Sequence, residues 1–310
     1  MYSLSTCWNS SRHTEGRDML KEIRDLGFEY AELSHGIRMS LVPGILESVE
    51  AGDIRISTLH NFCPLPMGLN YPAPNIFKFS SEERSERNQA RKYTQKTIDM
   101  AQRVGARLVV LHSGEVDLRG FFGSIDYMEK LEALVAASQR ESEKYTRLVQ
   151  EVEQKRQKRR EPAVGLALAL IREMAEYAGE RQILLGIENR EAVEEIPFDH
   201  EIDFFLSELP ANVRYWHDTG HAQIKENLGF IPAHAMHLEN LAGRLAGLHV
   251  HDVQPPGTDH CPPGSGMIDF PALAPFVRPD HIKVLELNPA VPAEDVTRGF
   301  AFLRSVWGPE

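Results

Sequence analysis

The sequence predicts an α/β protein: a single (β/α)8 barrel of parallel strands and helices, with a long helical insertion after the fourth strand. Three observations carry this expectation. Short apolar, β-branched runs recur eight times along 310 residues, separated by segments of helical periodicity. Polar residues close nearly every run: His60, His112, Glu188, Asp218, His249 and Glu286. No G-x-G-x-x-G follows the first run, so the open doubly wound fold lacks its nucleotide fingerprint. In a closed barrel the strand C-termini converge on one mouth, where active sites lie. An open sheet would spread the same residues along an edge.

The expected strands are Tyr2–Trp8, Gly27–Ser34, Ile54–His60, Ala106–His112, Ile183–Asn189, Val213–Thr219, Leu245–His251 and Ile282–Asn288. Asp18–Leu26, Glu82–Val104 and Asp295–Val306 repeat apolar residues at three-to-four spacing, the period of a helix buried along one stripe. Asn61–Ser81, rich in Pro, Gly and Asn, reads as a long mouth loop able to act as a lid. The fourth and fifth strands start 77 residues apart, about twice an ordinary unit. The excess is a helical insertion at about 116–162, in which Arg140–Glu161 holds 8 basic and 5 acidic residues and no Gly or Pro. That composition suits a solvated helix laced with i,i+4 pairs, preceding a separate helix at Val164–Tyr177. The run KRQKRR at 155–160 fits an exposed helix end, with cations near its carbonyls, better than a nucleic-acid patch. Residues 1–310 are expected to form one domain.

Composition narrows the function classes. Asp and Glu total 45 against 34 Lys and Arg, a formal charge of −11, which disfavours nucleic-acid and anionic-membrane partners. Hydrophobic usage of 42% and charged usage of 25% argue against wholesale disorder. No apolar run reaches about 18 residues, so no membrane span is expected. The start MYSLSTCWNSSRH lacks the pattern of a secretion signal. Cys7, Cys63 and Cys261 are odd in number and far apart, as expected of free thiols in a reducing cytoplasm.

The chemistry concentrates at four strand ends. Glu188 closes LLGIE, Asp218 closes VRYWHD, His249 lies in LAGLHVHD and Glu286 follows IKVL. Three carboxylates converging on one mouth repel one another and are driven towards protonation unless a cation neutralises them. Three oxygen ligands and one imidazole suit one divalent ion, Mn, Mg, Co or Zn, with positions open for substrate or water. Asp218 and His221 lie three residues apart just past a strand, so both can face one pocket. His60 and His112 close their own strands beside this centre. His249 and His251 share one face of their strand, which makes His251 a substrate-facing candidate. His260, on the Gly/Pro-rich stretch GTDHCPPGSG, can enter the mouth. Trp8, Phe62, Trp216 and Arg190 are further candidates for the substrate pocket.

As an ordered set, GFEYAELS, STLHNF, VVLHSGE, LGIENR, HDTGH, LHVHD, DHCPPGSGMIDF and VLELN, spread over residues 27–288, resemble the xylose-isomerase-like barrel superfamily. This superfamily gathers sugar isomerases and epimerases, inositol-derivative enzymes and endonuclease-IV-type abasic-site nucleases. The resemblance implies that Glu188, Asp218, His249 and Glu286 bind one divalent ion. It also implies that Glu188 and Glu286 act as acid and base on opposite faces of a sugar-like substrate, through an enediolate. His60, His112, His221, His251, His260 and Arg190 are then the substrate-binding candidates.

Three departures qualify the resemblance. The arginine that ketose epimerases carry six residues after the metal-binding histidine is Pro255 here. His251 stands where the inosose dehydratases, a lyase alternative on the same site, have lysine. The aspartate that the nucleases place two residues before the loop histidine falls on Thr258. Even so, His60, His112, Glu188, Asp218, His221, His249, His260 and Glu286 all match positions of the nuclease trinuclear zinc site. The implied function is a metal-dependent isomerase or epimerase of a small sugar, sugar phosphate or polyol-derived ketone. Homo-oligomerisation stays open.

Overall fold

The computed structural model of the chain describes residues 1–118 and 126–309. Eight parallel strands close into a barrel: β1 (Tyr2–Ser5), β2 (Tyr30–Leu33), β3 (Arg55–His60), β4 (Leu108–Leu111), β5 (Leu184–Glu188), β6 (Val213–Asp218), β7 (Leu245–Val250) and β10 (Ile282–Leu285). β10 pairs with β1 on one side and β7 on the other, which completes the ring. The expected barrel is thus the observed one, with each strand shorter than its apolar run suggests.

The strands are apolar on both faces because both faces are buried. Leu108, Val110, Trp216, Ile282 and Val284 form a plug inside the barrel. Val109, Leu111, Ile187 and Tyr215 join the larger core between strands and helices. Trp216 fits the interior because Gly247 on β7 has no side chain; a Cβ there would collide with the indole.

The helices are α1 (Gly16–Asp25), α2 (Val42–Glu50), α3 (Arg84–Arg103), α4 (Tyr127–Ala136), α5 (Glu143–Gly179), α6 (Ile202–Ser207), α7 (Thr219–Leu228), α8 (Met236–Leu241), α9 (Phe270–Leu273) and α10 (Ala293–Trp307). α1 buries Met19, Leu20 and Ile23, the stripe its periodicity marks. Among the described residues no helix is long and apolar enough to cross a membrane.

The insertion differs from expectation. Residues 119–125 of it lie outside the described residues. The two helices expected on either side of position 162 are one helix, α5, 37 residues long with Pro162 inside it. Proline removes one helical N–H. The helix runs through because both halves are anchored, upstream by buried Tyr145, Val152 and Arg156 and downstream by Ala167, Leu170 and Ile171.

The basic run is therefore neither a helix end nor a free patch. Arg156 is buried and donates to the Val193 and Glu195 carbonyls at 2.7 and 3.2 Å. It also pairs with Glu201 at 3.3 Å, and its neighbour Arg160 pairs with the other oxygen of the same carboxylate. Arg159 donates to the Asp117 carbonyl at 2.8 Å.

A small hairpin, β8 (Asp252–Gln254) against β9 (Thr258–Cys261), stands beyond β7 and was not expected.

Candidate metal centre and active site

Strand register sets Asp218 beside His249 and His249 beside Val284, two residues before Glu286. Ligand atoms of Glu188, Asp218, His249 and Glu286 all lie within 4.8 Å of one another, and all four residues are buried. His249 Nδ1 is 2.6 Å from Glu188 Oε1, 3.1 Å from Glu286 Oε2 and 3.9 Å from Asp218 Oδ2. Asp218 is also the N-cap of α7, accepting from the His221 N–H at 2.7 Å. The helix N-terminus favours its charged form.

The electrostatics separate the two glutamates. Burial alone would raise Glu188, but His249, Arg190 and a hydrogen bond from His112 hold it well below the usual carboxylate range. Burial raises Glu286, and the nearby Glu32 and Glu188 charges add to this against His249 and His260. Burial would lower His249, yet Glu286, Glu32 and Glu188 push it well above the ordinary imidazole value. His249 Nδ1 thus sits where three carboxylates demand positive charge, which a divalent ion would supply. The donor set fits such an ion.

A second group adjoins it: His60, His112 and Glu188. His60 Nδ1 lies 2.8 Å from the Asn61 carbonyl, which only accepts, so the ring proton is there and Nε2 carries a lone pair. That Nε2 is 3.1 Å from His112 Nε2, which is 2.9 Å from Glu188 Oε2. Burial keeps both rings neutral by lowering their pKa values. With the single His112 proton on Nδ1, towards Asn75 Oδ1, the two Nε2 atoms and the Glu188 oxygen form a donor set that attracts a cation.

The other expected site residues fall around these groups. His221 directs Nδ1 to the Asn189 carbonyl at 3.0 Å and groups with Glu191 and Asp259. Asp259 therefore enters the mouth although it is shifted one residue from the nuclease pattern. His260 stacks on His251 with centroids 4.2 Å apart, and burial is outweighed by Asp259 and Glu286, which raise it to about 9. Arg190 is held by Glu188 at 2.8 Å and Glu195 at 2.9 Å.

His251 differs from the substrate-facing expectation. It is fully buried, takes the His260 N–H on Nδ1 at 2.9 Å and directs Nε2 to Asp218 at 3.1 Å. With both nitrogens committed, it orients Asp218. Its ring packs on Gly220, where any Cβ would overlap it. Trp8, Phe62 and Trp216 are buried in the core.

Several contributing residues were not anticipated. Glu32, in GFEYAELS, approaches His249 from β2; it is an acid in an apolar run, the signal that marks the other strands. Asn75, in the long 61–81 loop, meets His112 Nδ1 at 2.6 Å. Asn189 braces Asp218 by accepting its N–H at 2.7 Å and donating to its carbonyl at 3.0 Å. Asp252 accepts four backbone N–H groups, from Val253, Gly264, Gly266 and Ile268, and so pins the loop that follows His260.

A barrel with a polar cluster at the C-terminal ends of its strands defines a class, and sequence comparison names it. The chain belongs to the xylose isomerase-like TIM barrels, whose family profile matches residues 20–306. No match was found among curated protein sequences. Similar solved structures include the 3-keto-D-glucoside 4-epimerase of E. coli, with TM-score 0.67, 13% identity and 98% of each chain covered. A D-allulose 3-epimerase from Methylomonas sp. gives TM-score 0.66 at 14% identity, over 98% of this chain and 96% of the other. The D-psicose 3-epimerase of Clostridium cellulolyticum H10, solved with D-tagatose, gives 0.62 at 13% identity over 99% of each. At such identities the likeness establishes the fold.

Proposed function

We propose that the chain is a divalent-metal-dependent isomerase or epimerase acting on a small sugar, a sugar phosphate or a polyol-derived ketone. The observation that carries this reading is the buried quartet Glu188, Asp218, His249 and Glu286 at the barrel mouth. These four residues would hold the ion, which when bound supplies Lewis-acid polarisation of a substrate carbonyl. Glu188 and Glu286 then serve as base and acid on opposite faces of the substrate: one removes a carbon-bound proton to give an enediolate and the other returns a proton. Arg190 keeps Glu188 charged and oriented. The similarity to sugar epimerases supports the substrate class.

A second reading, a multi-metal phosphoesterase of the abasic-nuclease kind, draws support from one observation. The groups His60–His112–Glu188 and Glu191–His221–Asp259 flank the central quartet, and the first shares Glu188 with it. The charge of −11 weighs against a duplex substrate.

Metal analysis joined to a screen of ketoses, inososes and their phosphates tests both readings. One ion per chain, with deuterium uptake from heavy water at the substrate α-carbon, is expected of the isomerase. Glu286→Gln should lower turnover by about a thousandfold or more while the protein stays folded. Water loss from an inosose would reassign the site to a lyase. Full turnover after chelation would overturn the metal reading. Three ions and cleavage of an abasic duplex would establish the second reading.

A further inference from the structure

Glu32 is a fully buried carboxylate that the proposed chemistry leaves unused. It lies on β2, on the far side of the His249 ring from the ligand quartet. A register shift between Ala31 and Glu32 sets it opposite Thr58 on β3, and such bulges re-aim side chains beside active sites. Glu32 Oε2 accepts from Thr58 Oγ1 at 2.8 Å and lies 3.1 Å from His249 Nε2. Its Oε1 is buried and has no hydrogen-bond partner.

The two nitrogens of His249 therefore face opposite demands. Nδ1 looks towards Glu188, Glu286 and Asp218, where a ligand lone pair is required. An imidazole that offers Nδ1 to a cation carries its proton on Nε2, and at Nε2 the acceptor in place is Glu32. A buried carboxylate with one bare oxygen is unfavourable on its own. A dication across the ring offsets that cost, because the carboxylate strengthens the donor that the dication uses.

We propose that Glu32 is the positioning residue of the metal centre: it fixes the His249 tautomer and ring plane that present Nδ1 to a divalent ion, and sets how tightly the ion is held. This rests on the metal reading above. Carboxylates that hydrogen-bond a ligating histidine change metal affinity by about 10- to 100-fold when removed.

The test compares wild type, Glu32→Gln and Glu32→Asp, each stripped with chelator and dialysed. Glutamine removes the charge at nearly constant shape. Aspartate keeps the charge but withdraws the oxygen from the ring by ~1.5 Å, one carbon–carbon bond. Calorimetric titration with Mn2+ and Co2+ measures affinity, and the visible absorption of bound Co2+ reports ligand geometry. The expected result is weaker binding by about 10- to 100-fold in Glu32→Gln, with an altered Co2+ spectrum and unchanged stoichiometry. Glu32→Asp should weaken binding as well.

A merely structural role would lower the unfolding midpoint of stripped protein and leave affinity and spectrum alone. Wild-type affinity and spectrum in both variants overturn the proposal, as they do in Glu32→Asp alone if Glu32→Gln does not fold. A wild-type protein that binds neither ion overturns the metal reading itself, which is a separate failure.

Discussion

Strand β6, VRYWHD, builds a histidine–carboxylate network on each of its two faces, because successive strand residues point in opposite directions. The outward network starts at His217 and Tyr215. Tyr215 donates to Asn189 Oδ1 at 3.2 Å, leaving its oxygen to accept from His217 Nδ1 at 2.8 Å. His217 Nε2 then accepts from His234 Nε2 at 3.1 Å. Beside this chain, buried Asp199 lies between Lys225 at 2.9 Å and His237 at 3.0 Å. Every charge in the outer network has an opposite within contact.

The inward network begins at Asp218 and gathers Glu188, Glu286 and Glu32, all buried. Among the described residues the permanent cation in contact with it is Arg190, which Glu188 shares with Glu195. Similar residue types on one strand thus give a self-neutral brace on one face and an excess of negative charge on the other. The balance of charge, more than the presence of histidines, separates a structural cluster from a site built for a cation.

This contrast is most strongly tested at its two acids. Asp218→Asn removes one ligand from the inner set while keeping the N-cap, since asparagine caps as well as aspartate. Turnover and metal affinity should fall by about a hundredfold or more. In chelator the unfolding midpoint should shift little, because one charge leaves a repelling cluster while the α7 N-terminus and His251 lose the anion they favour; a large loss of stability there would equate the two faces. Lys225→Met, on the outer face, should do the reverse. It leaves Asp199 with His237 alone and should cost about 3–5 kcal/mol in urea unfolding, as breaking buried pairs does. Metal affinity should be unchanged, and a metal-binding defect in this variant would break the distinction.

The barrel and the inner quartet were legible in the sequence because both follow local rules. Apolar runs of strand length alternate with helical periods, and Glu188, Asp218, His249 and Glu286 each sit at the end of such a run. What was not legible depends on partners distant in sequence. Glu32 meets His249 across 217 positions, and its run continues to Ser34, which hides an acid at the strand end. His251 has the right strand parity for the mouth, but the backbone of His260 folds back and takes its free nitrogen. Arg156 belongs to a basic run of exposed appearance, and only the fold brings the Val193 and Glu195 carbonyls to it. The continuity of α5 through Pro162 likewise follows from packing on both sides, which overrides the local penalty.

The smallest expected effect concerns the pH response of the outer face. Burial, followed by the neighbouring His237, lowers His234 to about 3. In the unfolded chain the same imidazole titrates near its ordinary value of about 6.5. Between these values the unfolded state binds a proton that the folded state does not, so folding stability falls as pH drops below about 6.5. The slope approaches 1.4 kcal/mol per pH unit for one such group, or about 2 kcal/mol between pH 7 and 5. His249 and Glu286, raised in the fold, contribute with the opposite sign, so the quantity to measure is a difference between proteins in chelator. His234→Gln should flatten the fall in urea-unfolding free energy between pH 7 and 5 by that amount relative to wild type. Equal slopes would mean that His234 accepts its proton without leaving the fold, and the outer network would then be open to charge like the inner one.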